Sequence, residues 1–587
     1  MNEILREVAP LHLPFEASIA LPGSKSHANR AIICACLVDG ETLIENATPC
    51  DDVTILVENI QKLGFDAQWI EKKKGTLKIH GGLQKLKTNK LKTKNVSAMI
   101  LNCSNAGTTL RFLTALCCLV PGEWVVTGNE RMQKRPIGEL VRALKILGAE
   151  IEDTHRCPPV NIRGGTIKGG RTELDARKSS QFLSALLLIG PALPHGLTVD
   201  LPHKPASSSY IPLTKQVLKD FGVKTEETAK QYQIQPQHLT SPKKYIIEGD
   251  WSAAGAFLVL AELCGSRIDF PNLKPDSVQA DRAITQALMA LRKKGNLTID
   301  CAEIPDQVIN LVVLAAHRSG TMRITGAKNL RLKETDRLAV LSQELRKVGI
   351  EIEEHDNGLT INGKATLKAA TLDPHDDHRM AMAFAILGCL HPGIRILDPA
   401  CVSKSYPCFF DDLEKLRTSP RCIAIVGMRG CGKSNFGKKL AKKLRLAQID
   451  TDAVFEKKYG SIQAFVMRRG WPAFRKEEEA IIQEVARPGY IVSLGGGAVE
   501  SVVTRKFLKE HSLTLWMQAS AKTLIERLRR GHRPALTELP LEQEVPRVLA
   551  KRTPLYRSVA TITLPLRLPL SKQISFTVSA LQHRCSW

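Results

Sequence analysis

The chain has 587 residues, of which 43% are hydrophobic and 24% charged, and these values argue against wholesale disorder and against a fibrous repeat. At roughly 150 residues per domain, this length predicts about four structural units. The formal charge of +24 is typical of nucleic-acid-binding proteins, but no helix-turn-helix, zinc-finger or RNP-type motif accompanies it, and aromatic residues make up only 5%.

The start of the chain and its cysteines bear on the compartment. Residues Met1 to Phe15 show no basic segment followed by an apolar one, so we expect no signal peptide. No apolar stretch approaches the ~20 residues that a membrane-spanning helix needs. The 15 cysteines form no Cys-x-x-Cys pair, and an odd number would leave one outside any disulfide framework. We therefore expect free thiols in a reducing cytoplasm.

A helix that ends on glycine and is followed at once by a short alternating strand recurs five times along the N-terminal two thirds. The glycines are Gly64, Gly148, Gly222, Gly295 and Gly349. Glycine supplies the left-handed C-cap of a helix, and alternating apolar residues are typical of a half-buried strand. The pattern predicts repeated α/β units, and its irregular spacing argues against a linear solenoid.

Many basic residues of this part lie in short motifs together with glycine, serine or threonine. The motifs are Leu21 to Arg30, Asn105 to Arg111, Arg131 to Ile137, Ser179 to Phe182, Lys333 to Leu338, Asp377 to Ala381 and Lys404 to Pro407. A site for two phosphates and two carboxylates needs convergent cations, with hydroxyls and backbone amides that fix the geometry. Such a site explains the positive charge better than nucleic acid does.

Together these motifs closely resemble those of the EPSP synthase (3-phosphoshikimate 1-carboxyvinyltransferase) family over residues 1–416. The resemblance implies an α/β fold of two globular lobes, each built from three βαβαββ units. Residues 1–21 plus 246–416 would form one lobe and residues 22–245 the other, with crossings near Leu21 and Tyr245. The sequence departs from the usual family pattern at Phe112, where many members carry proline.

The same resemblance implies the residues of the substrate sites. For phosphoenolpyruvate they are Lys25, Gly107, Arg135, Arg337, Arg379 and Lys404. For shikimate 3-phosphate they are Lys25, Ser26, Arg30, Ser179, Ser180, Gln181, Ser207, Asp306 and Lys333. Asp306 would be the base near the 5-hydroxyl, and Glu334 and Lys25 would donate the proton to the methylene group. No cofactor is expected in this part, because arginines and lysines carry the charge.

Some residues of these motifs have an alternative interpretation. Asp336 is either part of the site or an acid at a helix turn. His378 is either a proton shuttle or a buried structural histidine, and we favour the structural role. The lysine-rich stretch of residues 84–94 has no interleaved aromatic residue, so we interpret it as a solvated loop without a role.

The pattern of the N-terminal part stops near residue 416. Arg417 to Pro420 is predicted to be a short polar turn, after which a new apolar strand runs from Cys422 to Val426. We therefore place a linker at residues 417–420 and a second domain at residues 421–587.

The second domain opens with the Walker A pattern from Gly427 to Ser434, between that strand and a predicted helix. Its glycines let backbone N–H groups close on phosphates, Lys433 reaches the β and γ oxygens, and Ser434 can bind Mg²⁺. A glycine-rich turn without function is the alternative, and the strand-turn-helix context argues against it. Asp450 and Asp452 follow at the end of the next strand, where α/β sheets bind ligands.

Four further motifs follow in order: Phe474 to Glu478, Ser493 to Gly497, Arg533 to Pro534 and Lys551 to Tyr556. With the Walker A pattern they resemble shikimate kinase from Arg421 to Leu564, which implies a P-loop kinase with a parallel sheet. By this resemblance ATP contacts Gly430, Cys431, Gly432, Lys433, Ser434, Asn435 and the lid residue Arg533. Shikimate contacts Asp452, Arg475, Gly496 and Arg552, and Mg²⁺ is held by Ser434 and Asp450. Asp452 and Lys433 are the expected catalytic residues, and Asn435 replaces the usual threonine.

Together, the two parts predict a bifunctional enzyme of the shikimate pathway that uses ATP as co-substrate and needs Mg²⁺ in the kinase only. The order of the two activities resembles that in the fungal pentafunctional arom polypeptide. We expect small-molecule substrates and neither a nucleic-acid nor a membrane partner; the motifs do not bear on oligomeric state. The alternatives are one active domain with a degenerate scaffold partner, or a nucleic-acid-binding protein. Complete motif sets in both parts argue against the scaffold alternative.

Overall fold

The computed structural model describes residues 4–11, 15–83, 86, 98–292, 295–363, 366–418, 422–444, 446–487, 489–530, 539–565 and 569–582. The chain divides into two units. The first consists of Met1–Pro10, Ser18–Leu260 and Asp269–Asp412, and the second of Leu11–Ala17, Ala261–Ile268 and Leu413–Trp587.

One βαβαββ motif recurs four times in the first unit. Its first two strands pair in parallel across a helical connection, a second helix follows, and a hairpin returns the last strand to the middle of the sheet. We number these copies one to four. Their long helices pack apolar faces onto the sheets, so each copy buries one side of its sheet.

The bounds of the four copies are as follows. Copy one contains Lys25–Leu37, Glu41–Glu45, Asp51–Lys62, Asp66–Glu71 and Thr76–His80. Copy two contains Met99–Asn102, Gly107–Leu119, Gly122–Thr127, Gly138–Ile146, Glu150–Thr154 and Cys157–Gly164. Copy three contains Gly170–Glu173, Gln181–Ile189, Leu197–Asp200, Ile211–Asp220, Glu226–Thr228 and Gln231–Ile234. Copy four contains Leu297–Asp300, Val308–His317, Thr321–Thr325, Arg337–Lys347, Glu351–His355 and Gly358–Asn362.

Within the residues that the structure describes, copy one has no first strand of its own, and a later segment takes that place. Lys244–Ile246 pairs in parallel with Glu41–Glu45. Close by, Gly23 and Gly249 form an antiparallel bridge. The two segments at which we predict crossings between lobes therefore run side by side.

The remaining elements of the N-terminal part complete the α/β pattern. Leu5–Glu7, Ile394–Leu397 and Ala370–Leu372 form a three-stranded sheet in which the first strand is antiparallel to the second. Glu16–Ser18 pairs with Arg267–Asp269. The helices are Trp251–Cys264, Ile284–Leu291, His378–Leu390 and Phe409–Thr418.

The five glycines that the sequence assigns to helix ends all adopt positive φ angles, between 80° and 100°. Each lies between a helix and a strand, as the alternation predicts. The predicted α/β character of this part is therefore confirmed. The helix Phe409–Thr418 takes in two residues of the predicted polar turn, Arg417 and Thr418, because backbone helicity continues past the last apolar residue. Residues 419–421 lie outside the described residues.

The second unit contains a five-stranded parallel sheet. Its spatial order is Ala447–Asp450, Tyr490–Ser493, Cys422–Val426, Ser512–Gln518 and Ile562–Pro565. All neighbouring strands are parallel, which confirms the predicted kinase sheet. Its helices are Lys433–Leu444, Thr451–Tyr459, Ile462–Val485, Val502–His511, Ala521–Arg530, Leu541–Val559 and Leu570–Gln582. Within the described parts of the chain, no helix is long and apolar enough to cross a membrane.

The linker at residues 417–420 stays a prediction that separate expression can test. Residues 1–418 and 420–587 should give two folded, active fragments, because each contains its own sheets and apolar core. Circular dichroism and the two activity assays described below provide the measurement. An insoluble or inactive fragment from an active full-length chain would contradict the boundary.

Candidate active sites

A polar cleft in the first unit gathers side chains from all four copies and from the flanking segments. Nearly all residues that we predict for the N-terminal site line it, and Lys404 reaches it from a neighbouring cavity. The predicted residues in the cleft are Lys25, Ser26, Arg30, Gly107, Arg135, Ser179, Ser180, Gln181, Ser207, Asp306, Lys333, Glu334, Arg337 and Arg379.

Several helices of this unit begin at the cleft. Lys25, Gly107, Gln181, Arg337 and His378 are each the first residue of a helix and each line the cleft. A helix N-terminus presents unpaired backbone N–H groups and a partial positive charge. The repeated architecture thus supplies an anion-binding environment before any side chain is counted.

Arg337 is the most heavily used cation of the cleft, with its side chain only 1% exposed. Its Nε and Nη2 bind both carboxylate oxygens of Asp377 at 2.7 and 3.2 Å. Nη1 donates to Asp306 at 2.9 Å, and Nη2 also donates to Glu334 at 3.0 Å. One planar guanidinium therefore makes four hydrogen bonds to three carboxylates from three separate segments, one more than the three donors of a lysine could make.

Asp306 lies among cations. Arg379 Nη2 is 3.1 Å from one carboxylate oxygen, and Lys333 Nζ is 3.4 Å from the other. Burial acts to raise the pKa of Asp306, but Arg379, Lys333 and Arg337 outweigh it and hold the pKa well below its usual range. The pKa of Glu334 is also lowered, because Arg337, Lys404 and Arg135 outweigh its burial. Both carboxyl groups are therefore ionised at neutral pH.

Lys25 and Lys404 share one carboxylate that the sequence analysis missed. Lys25 Nζ is 2.9 Å and Lys404 Nζ 3.6 Å from Asp52, which is almost fully buried. Burial lowers the pKa of Lys25, but Asp52 and Glu334 outweigh it and raise the pKa above the ordinary value. Lys404 also donates to the Asn105 carbonyl at 2.6 Å. The acidic pair at residues 51–52 at the start of a helix was the available signal for Asp52.

Gly107 leaves room for two arginines. A Cβ at this position would come within 2.7 Å of Arg111 Nη1 and of Arg135 Nη2. Arg111, a second residue that the sequence analysis missed as a site residue, donates to the Gly107 carbonyl at 2.8 Å. Burial and the neighbouring Arg135 lower the pKa of Arg111 to about 9. Any side chain at position 107 would therefore displace cations of the cleft.

Arg30 lines the cleft and donates hydrogen bonds to its own helix and to a neighbouring helix. Its Nε donates to Thr214 Oγ1 at 2.8 Å, and Nη1 donates to the Ser26 carbonyl at 2.7 Å. Its guanidinium also lies 5.3 Å from the ring centroid of Phe112, the residue at which the sequence departs from the family pattern. Arg30 therefore orders this wall of the cleft whatever else it binds.

The structure bears on two residues with alternative interpretations. Asp336 accepts the Ala339 N–H at 3.1 Å and is the N-cap of Arg337–Lys347. His378 is fully buried, and neither of its ring nitrogens has a hydrogen-bond partner among the described residues. Burial and the nearby Lys25 lower its pKa well below the ordinary value, so the ring is neutral. Asp336 thus has a capping role, while the role of His378 stays a hypothesis.

In the second unit, residues that we predict to bind the nucleotide lie together in a P-loop. Gly430 and Gly432 adopt φ angles of +79° and +96°, which a residue with a side chain rarely does. Lys433 Nζ donates to the carbonyls of Gly427 and Met428 at 2.9 and 3.1 Å. Cys431 and Asn435 belong to the same turn and the helix that follows it. Arg533 lies outside the described residues.

Ser434 and Asp450 meet as the Mg²⁺ prediction requires. The Ser434 hydroxyl donates to Asp450 Oδ2 at 2.5 Å, and the other Asp450 oxygen accepts the Asp452 N–H at 3.1 Å. Mg²⁺ prefers oxygen ligands and is held by one or two protein groups plus phosphates and water. One hydroxyl and one carboxylate fit that set. Among the described residues, no group of three or more His, Cys, Asp or Glu side chains could hold a metal by itself.

The predicted shikimate residues surround the glycine turn at residues 495–497. Glu500 lies between two of them, at 3.2 Å from Arg552 Nε and 3.5 Å from Arg475 Nη2. A Cβ at Gly495 would come within 2.4 Å of Glu478 and 2.7 Å of Asp452. Arg475 also pairs with Glu478 at 2.5 Å. The sequence analysis missed Glu478 and Glu500, although Glu478 belongs to a motif that it singled out.

The N-terminal part of the chain matches a known protein family. The EPSP synthase (3-phosphoshikimate 1-carboxyvinyltransferase) family model matches residues 12–413. A 3-phosphoshikimate 1-carboxyvinyltransferase of Aliivibrio salmonicida (strain LFI1238) is 36% identical over 420 residues, which cover 68% of this chain and 97% of the relative. This chain belongs to the EPSP synthase family. The solved EPSP synthase of Acinetobacter baumannii shares the fold, with a TM-score of 0.59 and 23% identity over 71% of this chain and 98% of that one.

Behind the EPSP synthase part, the shikimate kinase family model matches residues 429–578. The pentafunctional AROM polypeptide of Schizosaccharomyces japonicus (strain yFS275 / FY16936) is 33% identical over 577 residues, which cover 86% of this chain and 36% of that polypeptide. Both matched families are enzymes. The predicted combination of an EPSP synthase domain and a shikimate kinase domain in one chain is therefore confirmed.

Replacing Arg337 tests whether its guanidinium holds the three carboxylates of the EPSP synthase cleft in place. Arg337→Met leaves three carboxylates without their shared partner, two of them almost fully buried, so the free energy of unfolding should fall by about 3–5 kcal/mol. Arg337→Lys keeps the charge but not the fork, and EPSP formation should fall by about 100-fold or more. Urea unfolding and steady-state kinetics measure the two effects.

The control for this prediction is Arg163→Lys. Arg163 pairs with Glu150 at 3.4 Å on the surface, and such pairs contribute little. This control should leave stability and activity unchanged. An Arg337→Lys variant with full activity would contradict the proposed role of the Arg337 guanidinium.

The lowered pKa of Asp306 predicts how stability depends on pH. A carboxyl group with a lowered folded pKa stabilises the protein above its ordinary pKa of about 3.9 and loses that contribution as the pH falls through the folded value. Asp306→Asn should therefore be less stable than the wild type at pH 7. Its stability should also decline less between pH 4 and pH 2.5 than that of the wild type. Urea unfolding across this range is the measurement, and equal declines would contradict the assignment.

Proposed function

We propose that the chain catalyses two consecutive reactions of the shikimate pathway. The C-terminal domain transfers the γ-phosphoryl group of ATP to shikimate and gives shikimate 3-phosphate. The N-terminal domain transfers the enolpyruvyl group of phosphoenolpyruvate to that product and releases phosphate. The observation that carries the proposal is the cation-rich cleft centred on Arg337, joined in one chain to a P-loop that faces two carboxylates.

In the synthase cleft the two substrates bring phosphates and carboxylates to a ring of cations. We assign the phosphoenolpyruvate contacts to Lys25, Gly107, Arg135, Arg337, Arg379 and Lys404. The contacts to shikimate 3-phosphate are Lys25, Ser26, Arg30, Ser179, Ser180, Gln181, Ser207, Asp306 and Lys333. The joint presence of all these residues around one cleft, with helix N-termini directed at it, supports the assignment.

The chemistry begins when the 5-hydroxyl oxygen bonds to C2 of phosphoenolpyruvate. Asp306 accepts the hydroxyl proton, and Glu334 or Lys25 supplies a proton to the methylene carbon, which becomes a methyl group. Loss of phosphate and of one methyl proton then restores the double bond. Preorganised cations stabilise the charge that develops on the phosphate and carboxylate.

Substrate binding also adjusts the base. Arg379, Lys333 and Arg337 hold the pKa of Asp306 low, which makes its carboxylate a weak base. Two bound anions would neutralise part of that positive charge and raise the pKa toward its ordinary value. The proton transfer would thus become efficient only when both substrates are present.

In the kinase domain Asp452 would orient and deprotonate the 3-hydroxyl of shikimate, whose carboxylate would bind Arg475 and Arg552. Lys433 would contact the β and γ phosphates, and Ser434 and Asp450 would hold Mg²⁺. Bound Mg²⁺ supplies positive charge that offsets the charge of the phosphates. Phosphoryl transfer then depends mainly on positioning and on neutralisation of charge.

Anionic small-molecule substrates account for the cations of the cleft without nucleic acid. Lys25, Lys333, Arg337 and Arg379 converge there and are balanced by the carboxylates of Asp52 and Asp306. None of the cysteines in the described part of the chain forms a disulfide, in keeping with a reducing cytoplasm as the proposed compartment.

Two variants assayed in both half-reactions test this division of labour. Lys433→Ala should abolish phosphorylation of shikimate but leave EPSP formation from supplied shikimate 3-phosphate intact, because the synthase uses no nucleotide. Asp306→Ala should slow EPSP formation by about 10²- to 10⁴-fold and let shikimate 3-phosphate accumulate. Unchanged circular dichroism serves as the folding control. A Lys433 variant that loses the synthase reaction would refute two separate sites.

A further inference from the structure

The turn that carries Ser207 has an unusual backbone. Ser207 has φ of +52° and ψ of +47°, in the left-handed region. This conformation is sterically unfavourable for a residue with a side chain and persists only where its surroundings hold it. Ser207 lines the cleft, so its conformation decides where its hydroxyl points in the site.

Glu303 holds the residues that follow Ser207. Its carboxylate accepts the Ser208 hydroxyl at 3.0 and 3.1 Å and the Ser209 N–H at 2.9 Å. Its backbone carbonyl accepts the Ser209 hydroxyl at 2.5 Å. One acidic residue thus binds two consecutive serines through both its side chain and its main chain.

Asn329 and Asp281 bind the same turn from the same side. Asn329 Nδ2 donates to Ser207 Oγ at 3.0 Å, and the Tyr210 hydroxyl donates to Asp281 at 2.8 Å. The turn belongs to copy three, whereas Asp281, Glu303 and Asn329 belong to the segment that contains copy four. The contacts therefore span the cleft.

The segment that holds the turn also carries the reacting groups. Glu303 stands three residues before Asp306, in the turn that places this carboxylate beside Arg337 and Arg379. Asn329 stands four residues before Lys333, which is 3.4 Å from Asp306. Through Glu303, the position of Ser207 is thus tied to the position of Asp306.

Resting on the proposed synthase function, we propose that Glu303 is a positioning residue for shikimate 3-phosphate. Its carboxylate keeps Ser207 in the left-handed conformation in which the hydroxyl faces the substrate, and it fixes that wall relative to Asp306. Lys204 also pairs with Glu303 at 2.7 Å, but its side chain is 75% exposed. A surface ion pair of this kind contributes little, so the serine contacts carry the effect.

The test measures the two substrates separately in the full-length chain. Glu303→Ala should raise KM for shikimate 3-phosphate about tenfold, as expected for loss of hydrogen bonds to a charged group. KM for phosphoenolpyruvate should change by less than about twofold, because the substitution leaves the cations assigned to that substrate in place. Glu303→Gln keeps an acceptor for Ser208 and Ser209 and should show an intermediate rise. Calorimetric titration with shikimate 3-phosphate alone should give the same order.

The matched control is Glu71→Gln. Glu71 is an exposed acid that pairs with Lys74 at 2.8 Å at the end of a strand of copy one. This variant should match the wild type in both KM values and in Tm.

Each outcome has a distinct meaning. If the wild type makes EPSP and Glu303→Ala keeps its KM for shikimate 3-phosphate, the positioning role is wrong while the proposed function stands. If Tm and kcat of both Glu303 variants fall together without a selective change in KM, Glu303 is structural only and the proposal is overturned. A wild-type chain that forms no EPSP from the two substrates overturns the proposed function, and the inference with it.

Discussion

The contact between the Arg337 guanidinium and three carboxylates sets the geometry of the synthase cleft. Asp377 lies at the start of one helix, Glu334 precedes another helix, and Asp306 lies in a separate turn. A single buried cation therefore fixes three segments against one another. The surrounding cations are tolerated because these acids neutralise part of their charge. Lys25 and Lys404 follow the same rule through Asp52.

In the kinase site the charges are reversed: a carboxylate occupies the central position, and guanidinium groups surround it. There Glu500 stands between Arg475 and Arg552, so that one carboxylate binds two guanidinium groups. In both domains, the charged groups of the cleft are kept in place by counter-charges within the protein.

Motif and periodicity predicted the α/β units and the glycine-capped helices because these features depend on local sequence. The resemblance to known families supplied most of the residues around each cleft. Asp52 and Glu500 were missed as site residues because their contacts with Lys404 and Arg552 join distant segments, which neither spacing nor composition reveals. Arg111 and Glu478 belong to motifs that the sequence analysis singled out, but it assigned them no role. Arg30 shows the reverse, since a residue expected to bind substrate also donates hydrogen bonds to Thr214 and to the Ser26 carbonyl.

The sheet of copy one has a consequence for biosynthesis. Its edge strand Lys244–Ile246 is made some two hundred residues after Glu41–Glu45, the strand it pairs with, and Leu5–Glu7 must wait for Ile394–Leu397. On the ribosome, copies two and three can close as soon as they emerge, because their strands are contiguous. Leu5–Glu7 and the strands of copy one are therefore translated well before the segments that complete their sheets, and until then they expose open strand edges to the chaperones of the cell.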